Sequence, residues 1–270
     1  MAADLKFTDL HCHLAPGIDD GAKSWDDTLA MARQAVAEGI GTVVCTPHQC
    51  GSYSHTRGDQ IRDLVADVQT FLEAHGVPLQ VLPGADVRIE PDLVGRLRSG
   101  NVLTLADQRR HVLLELPHEL YVPLDKLLDE LSAAKMTGIL SHPERNQGIL
   151  AQPELVNQLV DKGCLMQVTS GSLLGAFGPN VQHCAEYLVS SGLTHFISTD
   201  AHSPRSRRPQ MRATFEHCQS LVGYDAARAM FVDFPAAVAA GQSVPQGKLT
   251  MVHGKATRAT AGWFGWRKSA

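Results

Sequence analysis

The sequence predicts an α/β fold whose parallel sheet closes into a barrel, and three observations point there. Seven apolar, β-branched runs of strand length recur along the 270 residues, helical patterns separate most of them, and no composition break interrupts the series before a basic C-terminal stretch. Repeated βα order requires parallel strands, and seven such units in one chain favour a barrel over an open sheet. A chain of this length buries roughly three-quarters of its unfolded surface as one compact unit, so no covalent staple is needed for bulk stability. One domain is expected over residues 1–247, followed by a basic tail over 248–270.

The elements follow in order. The first strand is expected at Phe7–His13. Ser24-Trp-Asp-Asp27 resembles a capping box, so a helix starts there and runs to about Glu38, with Gly39 as its stop. Thr42–His48 reads as the second strand, Arg62–His75 as an amphipathic helix ended by Gly76, and Gln80–Val87 as the third strand. His111–Pro117 is the fourth strand, with a helix near Leu124–Lys135, and Gly138–Glu144 the fifth, with a helix at Pro153–Lys162. Leu165–Ser170, a helix at Asn180–Ser190, the seventh strand His195–His202 and a helix at Pro209–Leu221 complete the series.

Composition narrows the function. Charged residues make up 19% and aromatics 6%, the profile of an ordinary globular chain. No apolar stretch approaches the ~18 residues of a membrane span, and the N-terminus lacks the basic start and apolar core of a secretory signal, so a cytoplasmic protein with no transmembrane segment is expected. The balance of 24 basic against 28 acidic residues argues against general nucleic-acid binding. Five of the basic residues and none of the acids lie from Lys248 onward, beside Trp263, Phe264 and Trp266; the tail is given no function. Cys12, Cys45, Cys50, Cys164, Cys184 and Cys218 show no CxxC pair, which fits a reducing compartment. None has arginine six places on, which excludes the phosphatases that wrap phosphate in a Cys-x5-Arg loop.

The polar chemistry sits at strand ends. His11 and His13 close the first strand on one shared face, His48 ends the second, Asp86 lies near the end of the third, and Glu115 ends the fourth. His142 ends the fifth, and Asp200 and His202 end the seventh, again on a shared face; Asp20 follows the first strand in a loop. Singly, each has a plain explanation: a strand-end histidine is usually a hydrogen-bonded structural residue, and an Asp before Gly a turn residue. Jointly they place five imidazoles and four carboxylates at the C-terminal rim, where active sites of such folds are built. Carboxylates so crowded repel unless cations neutralise them. Imidazole with carboxylate and no thiolate suits Mn, Fe, Zn or Co, and nine donors suit two or three divalent ions, with Mn²⁺ the expected metal. Such a mouth attracts a phosphate dianion and acidifies bound water. His55, in the loop after the second strand, is a lesser candidate for touching substrate, and His75 is a helix-terminal residue.

His-x-His followed by Ile-Asp-Asp-Gly-Ala, Thr-Pro-His, Ser-His-Pro-Glu-Arg and Thr-Asp-Ala-His resembles the polymerase and histidinol phosphatase (PHP) superfamily. More narrowly, the pattern is similar to the bacterial PHP-type tyrosine-protein phosphatases of capsule and exopolysaccharide operons, over roughly Thr8 to Pro209. The resemblance implies a distorted seven-stranded (β/α) barrel of the PHP type with a trinuclear metal centre. By motif, His11, His13, Asp20, His48, Glu115, His142, Asp200 and His202 are carried over as ligands. Asp86 stands where the family usually has glutamate, and Gln49 where it often has a second histidine. Arg145, and either Arg207 or Arg208, match positions where the family holds substrate phosphate, a task suited to two-pronged guanidinium contacts. The plain alternative pairs Arg145 with an acid such as Glu144.

The resemblance implies hydrolysis of protein phosphotyrosine by in-line attack of a hydroxide bridging the ions. The substrate it implies is the tyrosine-rich tail of a cytoplasmic bacterial kinase that controls polysaccharide export. Two other readings stay open: a phosphatase for a small ester such as histidinol phosphate or a nucleotide, and a weakly active regulator that binds the kinase.

Overall fold

The computed structural model describes residues 5–250. The chain begins with β1 (Phe7–Cys12), α1 (Trp25–Ala37), β2 (Ile40–Cys45), β3 (His48–Gln49), α2 (Gly58–Ala74), β4 (Gln80–Pro83), β5 (Asp86–Arg88) and α3 (Leu93–Ser99). It continues through β6 (His111–Glu115), α4 (Asp125–Ala133), β7 (Thr137–Ser141), α5 (Gln147–Ala151), α6 (Leu155–Asp161), β8 (Leu165–Thr169), α7 (Ser170–Leu173) and α8 (Pro179–Ser190). β9 (Phe196–Ser198), α9 (Arg212–Val222), α10 (Tyr224–Arg228) and α11 (Phe234–Ala239) complete it. The helix at Ser24 forms as expected: its side chain accepts from Asp27 N, and Gly39 follows the helix at a φ of 88°. The second helix starts at Gly58, one turn before the expected Arg62.

All strand pairs are parallel, but the expected seven-stranded barrel does not close into one ladder. The strands form a three-stranded sheet, β1-β2-β4, and a six-stranded sheet, β3-β5-β6-β7-β8-β9. Two of the seven expected runs break in the middle. Pro47 has no N–H to offer and splits the second run into β2 and β3, while Gly84 and Ala85 split the third into β4 and β5. Gly84 lies so close to β2 that a Cβ there would sit 2.7 Å from Val44 Cγ1.

The seam between first and last strands is closed by a side chain. Backbone contact between β1 and the segment after β9 amounts to the Cys12–Ala201 bridge, with Asp200 N donating to His11 O (2.7 Å) and His13 N to Ala201 O (2.8 Å). Below it the buried Asp9 carboxylate accepts from Thr199 N (3.0 Å), Thr199 Oγ1 and His11 N (3.2 Å). Those bonds hold a register irregularity between Asp9 and Cys12.

The two sheets share an inner core of Leu10, Val44, Leu113, Ile139, Leu165 and Phe196, closed off by Val238 and Val244. Their outer faces pack under the helices through residues such as Val43, Val112, Leu114, Leu140, Met166 and Ile197. Period two then positions part of the site: Glu115 follows Leu113 and Gln167 follows Leu165, whereas Asp200 lies beyond β9, whose expected run to His202 stops at Ser198. In β1 the irregularity shifts that phase, so that Leu10 faces the inner core while Cys12 joins the outer one. All six cysteines are free and buried. Leu249 is buried and donates its N–H to Gly192 O (2.7 Å); the tail expected beyond it lies, from residue 251, outside the described residues.

Candidate metal and phosphate site

The structure brings all nine expected donors into one mouth. They fall into four overlapping groups whose donor atoms lie within 4.8 Å of one another: His13–Asp20–His48–His202, His11–His142–Asp200, His11–His13–Asp86 and His48–Asp86–Glu115. His11, His13, His48 and Asp86 each belong to two groups, the sharing that closely spaced ions need. Two of these residues, His142 (φ 34°) and Asp200 (φ 51°), take left-handed backbone conformations that are unfavourable for side chains other than glycine. Strand pairing sets His48 beside Asp86, and Arg88 beside Glu115.

Neighbouring acceptors fix the imidazoles. His11 Nδ1 donates to Gln167 Oε1 (2.9 Å), His13 Nδ1 to Asp19 Oδ2 (2.6 Å), and His202 Nδ1 to Asp200 O (2.9 Å). Each therefore turns Nε2 inward, His11 and His202 as a lone pair and His13 as one once its ring proton is displaced by a cation, the arrangement of metal-binding histidines held by an outer carboxylate or carbonyl. His11 Nε2 and His13 Nε2 are then 3.1 Å apart, and His11 Nε2 is 3.2 Å from Asp200 Oδ1 and 3.6 Å from Asp86 Oδ2. Two lone pairs and a carboxylate at that spacing need a cation or a proton between them.

Asp86 gives the sharpest test of fit. It is fully buried, and neither carboxylate oxygen has a hydrogen-bond donor. Burial, followed by the nearby Glu115 carboxylate, pushes its pKa well above the usual range. Its other neighbours are His48 Nδ1 (3.4 Å) and His142 Nε2 (4.0 Å). A buried carboxylate facing three imidazoles with no donor suits a divalent cation. Burial also pulls His11 down to about 3 and His202 to about 2, keeping both neutral, as ligation requires. At His13 burial is outweighed by Asp19 and Asp200, which raise it to about 10. Asp200 is held well below the carboxylate range, despite burial, by His11, His13, Arg207 and His202.

Arg145 and Arg207 both reach Asp200 Oδ2 at the edge of this cluster. Their guanidinium carbons lie 4.6 and 5.9 Å from the ring centre of Phe177. Arg207 O accepts from both His202 N (2.9 Å) and Ser203 N (3.2 Å), turning the chain back so that Arg207, and not Arg208, contacts Asp200. Arg208 is exposed and makes no ion pair among the described residues. The alternative pairing of Arg145 with Glu144 does not form. Glu144 is buried and accepts from Thr169 N (3.0 Å) and Ser172 Oγ (2.7 Å).

Gln49 bridges loops with every amide group, donating to Thr56 O and Asn101 O and accepting from Leu103 N. His55 is exposed, its ring 6.3 Å from that of Tyr53, and His75 Nδ1 donates to Phe71 O (2.8 Å). Sequence reasoning passed over Asp19, Gln167, Phe177 and Tyr53. The doublet Asp19-Asp20 and the period-two step from Leu165 to Gln167 were the available signals; an aromatic in a loop carries none.

A profile of the family described as "Capsular polysaccharide synthesis, CpsB/CapC" matches residues 7–240. The chain belongs to that family. The tyrosine-protein phosphatase YwqE of Bacillus subtilis (strain 168) is 36% identical over 201 residues, covering 74% of this chain and 78% of that one. The tyrosine-protein phosphatase CpsB of Streptococcus pneumoniae is 25% identical over 232 residues, covering 84% and 96%. A crystal structure from work on these two proteins, described there as unique metal-dependent tyrosine phosphatases, superposes with a TM-score of 0.85 at 30% identity, covering 91% of this chain and 99% of that one.

Proposed function

We propose that this chain is a metal-dependent tyrosine-protein phosphatase of capsule or exopolysaccharide synthesis. The observation that carries the reading is a cation-binding and an anion-binding array in one mouth: the imidazole–carboxylate cluster around Asp86, and the guanidinium pair of Arg145 and Arg207 at its rim. In this reading His11, His13, Asp20, His48, Asp86, Glu115, His142, Asp200 and His202 hold two or three divalent ions, Mn²⁺ first among Mn, Fe, Zn and Co. Bound ions supply positive charge for the phosphoryl group and lower the pKa of water enough for it to attack phosphorus.

The chain's own residues do the rest. Asp19 and Gln167 aim His13 and His11, so that donor positions are set before substrate arrives. Arg145 and Arg207 meet the phosphoryl oxygens in two-point contact, and Phe177 beneath them limits where the forks go. A tyrosine phenolate, with a pKa near 10, leaves with little help from a proton donor, which favours aryl esters. The proposed substrate is the phosphotyrosine-bearing tail of a cytoplasmic bacterial tyrosine kinase. Six buried free cysteines support a reducing compartment, and no helix among the described residues is long and apolar enough to cross a membrane.

The test is the initial rate on a phosphotyrosyl peptide, with a phosphoseryl peptide alongside, before and after chelation and Mn²⁺ readdition. Tyrosine-selective release that is lost on chelation and restored by Mn²⁺ is expected. Faster turnover of histidinol phosphate or a nucleotide would move the substrate to small esters, and no release with any metal would move the reading to a binding role.

A further inference from the structure

A cavity of about 240 Å³ opens directly beside the cluster, lined by His48, Glu115, Tyr53, Arg88 and the turn 50–52. His48 and Glu115 also belong to the group with Asp86, so the wall of the cavity is the edge of the proposed metal centre. Tyr53 lies nearly parallel to the His48 ring, centroids 5.3 Å apart at 20°. The turn carrying it is fixed: Tyr53 N donates to Cys50 O (2.9 Å) and Gly51 N to Glu90 Oε1 (2.7 Å). Gly51 has a φ of 53° and packs on the Arg88 stem, where a Cβ would sit 3.1 Å from Arg88 Cγ. Arg88 is anchored in turn, Nη1 donating to Leu116 O (2.8 Å) and lying 3.5 Å from Glu115 Oε2. Both Tyr53 and Arg88 are therefore in place before any ligand enters.

We infer that this cavity is the subsite for the aromatic ring of phosphotyrosine, with Tyr53 as the stacking platform and Arg88 as the cationic wall. The inference rests on the phosphatase reading and adds the means of selecting tyrosine. The volume is below the ~300–1,000 Å³ of pockets for drug-sized ligands, which suits one side chain. A ring beside Tyr53 gains an aromatic contact, and one beside a guanidinium gains a cation–π contact. A phosphoseryl side chain has no ring to place there, and its backbone would have to approach the mouth more closely. Selection for tyrosine is then built from a cavity wall shared with His48.

The experiment uses the Mn²⁺-loaded full chain and two competitive probes, phenylphosphonate and inorganic phosphate. Tyr53→Leu should raise the KM for a phosphotyrosyl peptide and the inhibition constant of phenylphosphonate by roughly three- to tenfold, the weight of one aromatic contact. Inhibition by inorganic phosphate and bound metal per chain should stay unchanged, and Tyr53→Phe, which keeps the ring, should recover most of the phenylphosphonate inhibition lost in Tyr53→Leu. Ser52→Trp, which fills the cavity from its exposed rim, should likewise weaken phenylphosphonate but not phosphate. Equal weakening of both probes, loss of metal from Tyr53→Leu, or no change in phenylphosphonate for either variant overturns the subsite. A wild-type chain with no metal-dependent phosphotyrosine turnover would instead remove the phosphatase reading beneath it.

Discussion

Asp19 and Asp20 stand side by side in the loop after β1 and do different things. Asp19 turns inward, its carboxylate accepting from His13 Nδ1, His48 N (3.0 Å) and Gly21 N (2.9 Å). Asp20 is half exposed and faces His48 Nε2 (3.5 Å) and His202 Nε2 (3.6 Å) from the open side. Gly21 permits the fold-back, since a Cβ there would lie 2.4 Å from His13 Cβ. Asp19→Asn keeps the shape but weakens the acceptor that orients His13. It should lower Mn²⁺ affinity about 10- to 100-fold, read by metal titration, with an unchanged circular dichroism spectrum. His13→Ala or Asp200→Ala should abolish turnover in a protein that remains folded by the same criterion; full activity in either would remove these residues from the proposed metal centre.

At the scale of elements, the site depends on where strands stop being regular. Pro47 and Gly84 break two neighbouring strands at the same level, and β3 and β5 then carry His48 and Asp86 at paired positions. The irregularity in β1, held by Asp9, moves His11 and His13 into phase with the mouth. Gly84→Ala would press its methyl against Val44 and, at 3.4 Å, Thr46 Cγ2. Overpacking of this kind costs about 1–3 kcal/mol, so a lower midpoint in urea with an unchanged m-value is expected.

For the whole molecule, two histidines outside the cluster set a pH dependence of stability. His195 is buried, accepts from Met166 N (3.1 Å) and donates to Gly247 O (3.1 Å), tying β8 to the end of the described chain. Burial pulls it down to about 4; at His111, burial and then Arg110 do the same, also to about 4. In the unfolded chain both titrate near 6.5, so between about pH 6.5 and 4 the unfolded state binds more protons and acid destabilises the fold. Their contribution is fully present above about pH 6.5 and shrinks by up to about 1.4 kcal/mol per pH unit for each group. Buried Asp9, pushed up to about 6, works in the opposite direction between about pH 6 and 3.8, so the histidine share is read as a difference: the denaturant midpoint of His195→Gln relative to wild type should rise as pH falls from about 6.5 to 4.

By itself the sequence determined what periodicity and local bonding encode. Period-two alternation placed His11 with His13, and the order of apolar runs implied parallel strands in chain order; Asp200 and His202, expected on the seventh strand, instead lie past the end of β9, with Asp200 in a left-handed conformation. Ser24 and Gly39 marked the ends of α1 through bonds spanning a few residues. Tertiary structure decided what depends on residues far apart meeting. Arg145 chose Asp200, 55 positions away, over the adjacent Glu144, because the backbone at β7's end turns Glu144 inward to Thr169 and Ser172. Arg207, not Arg208, reaches Asp200 through a loop closed by its own carbonyl, and the barrel expected from the strand count divides into two sheets where Pro47 and Gly84 interrupt the second and third runs. Tyr53 and Phe177 gained their places from loops, whose course is set by packing and carries no repeat for a sequence to display.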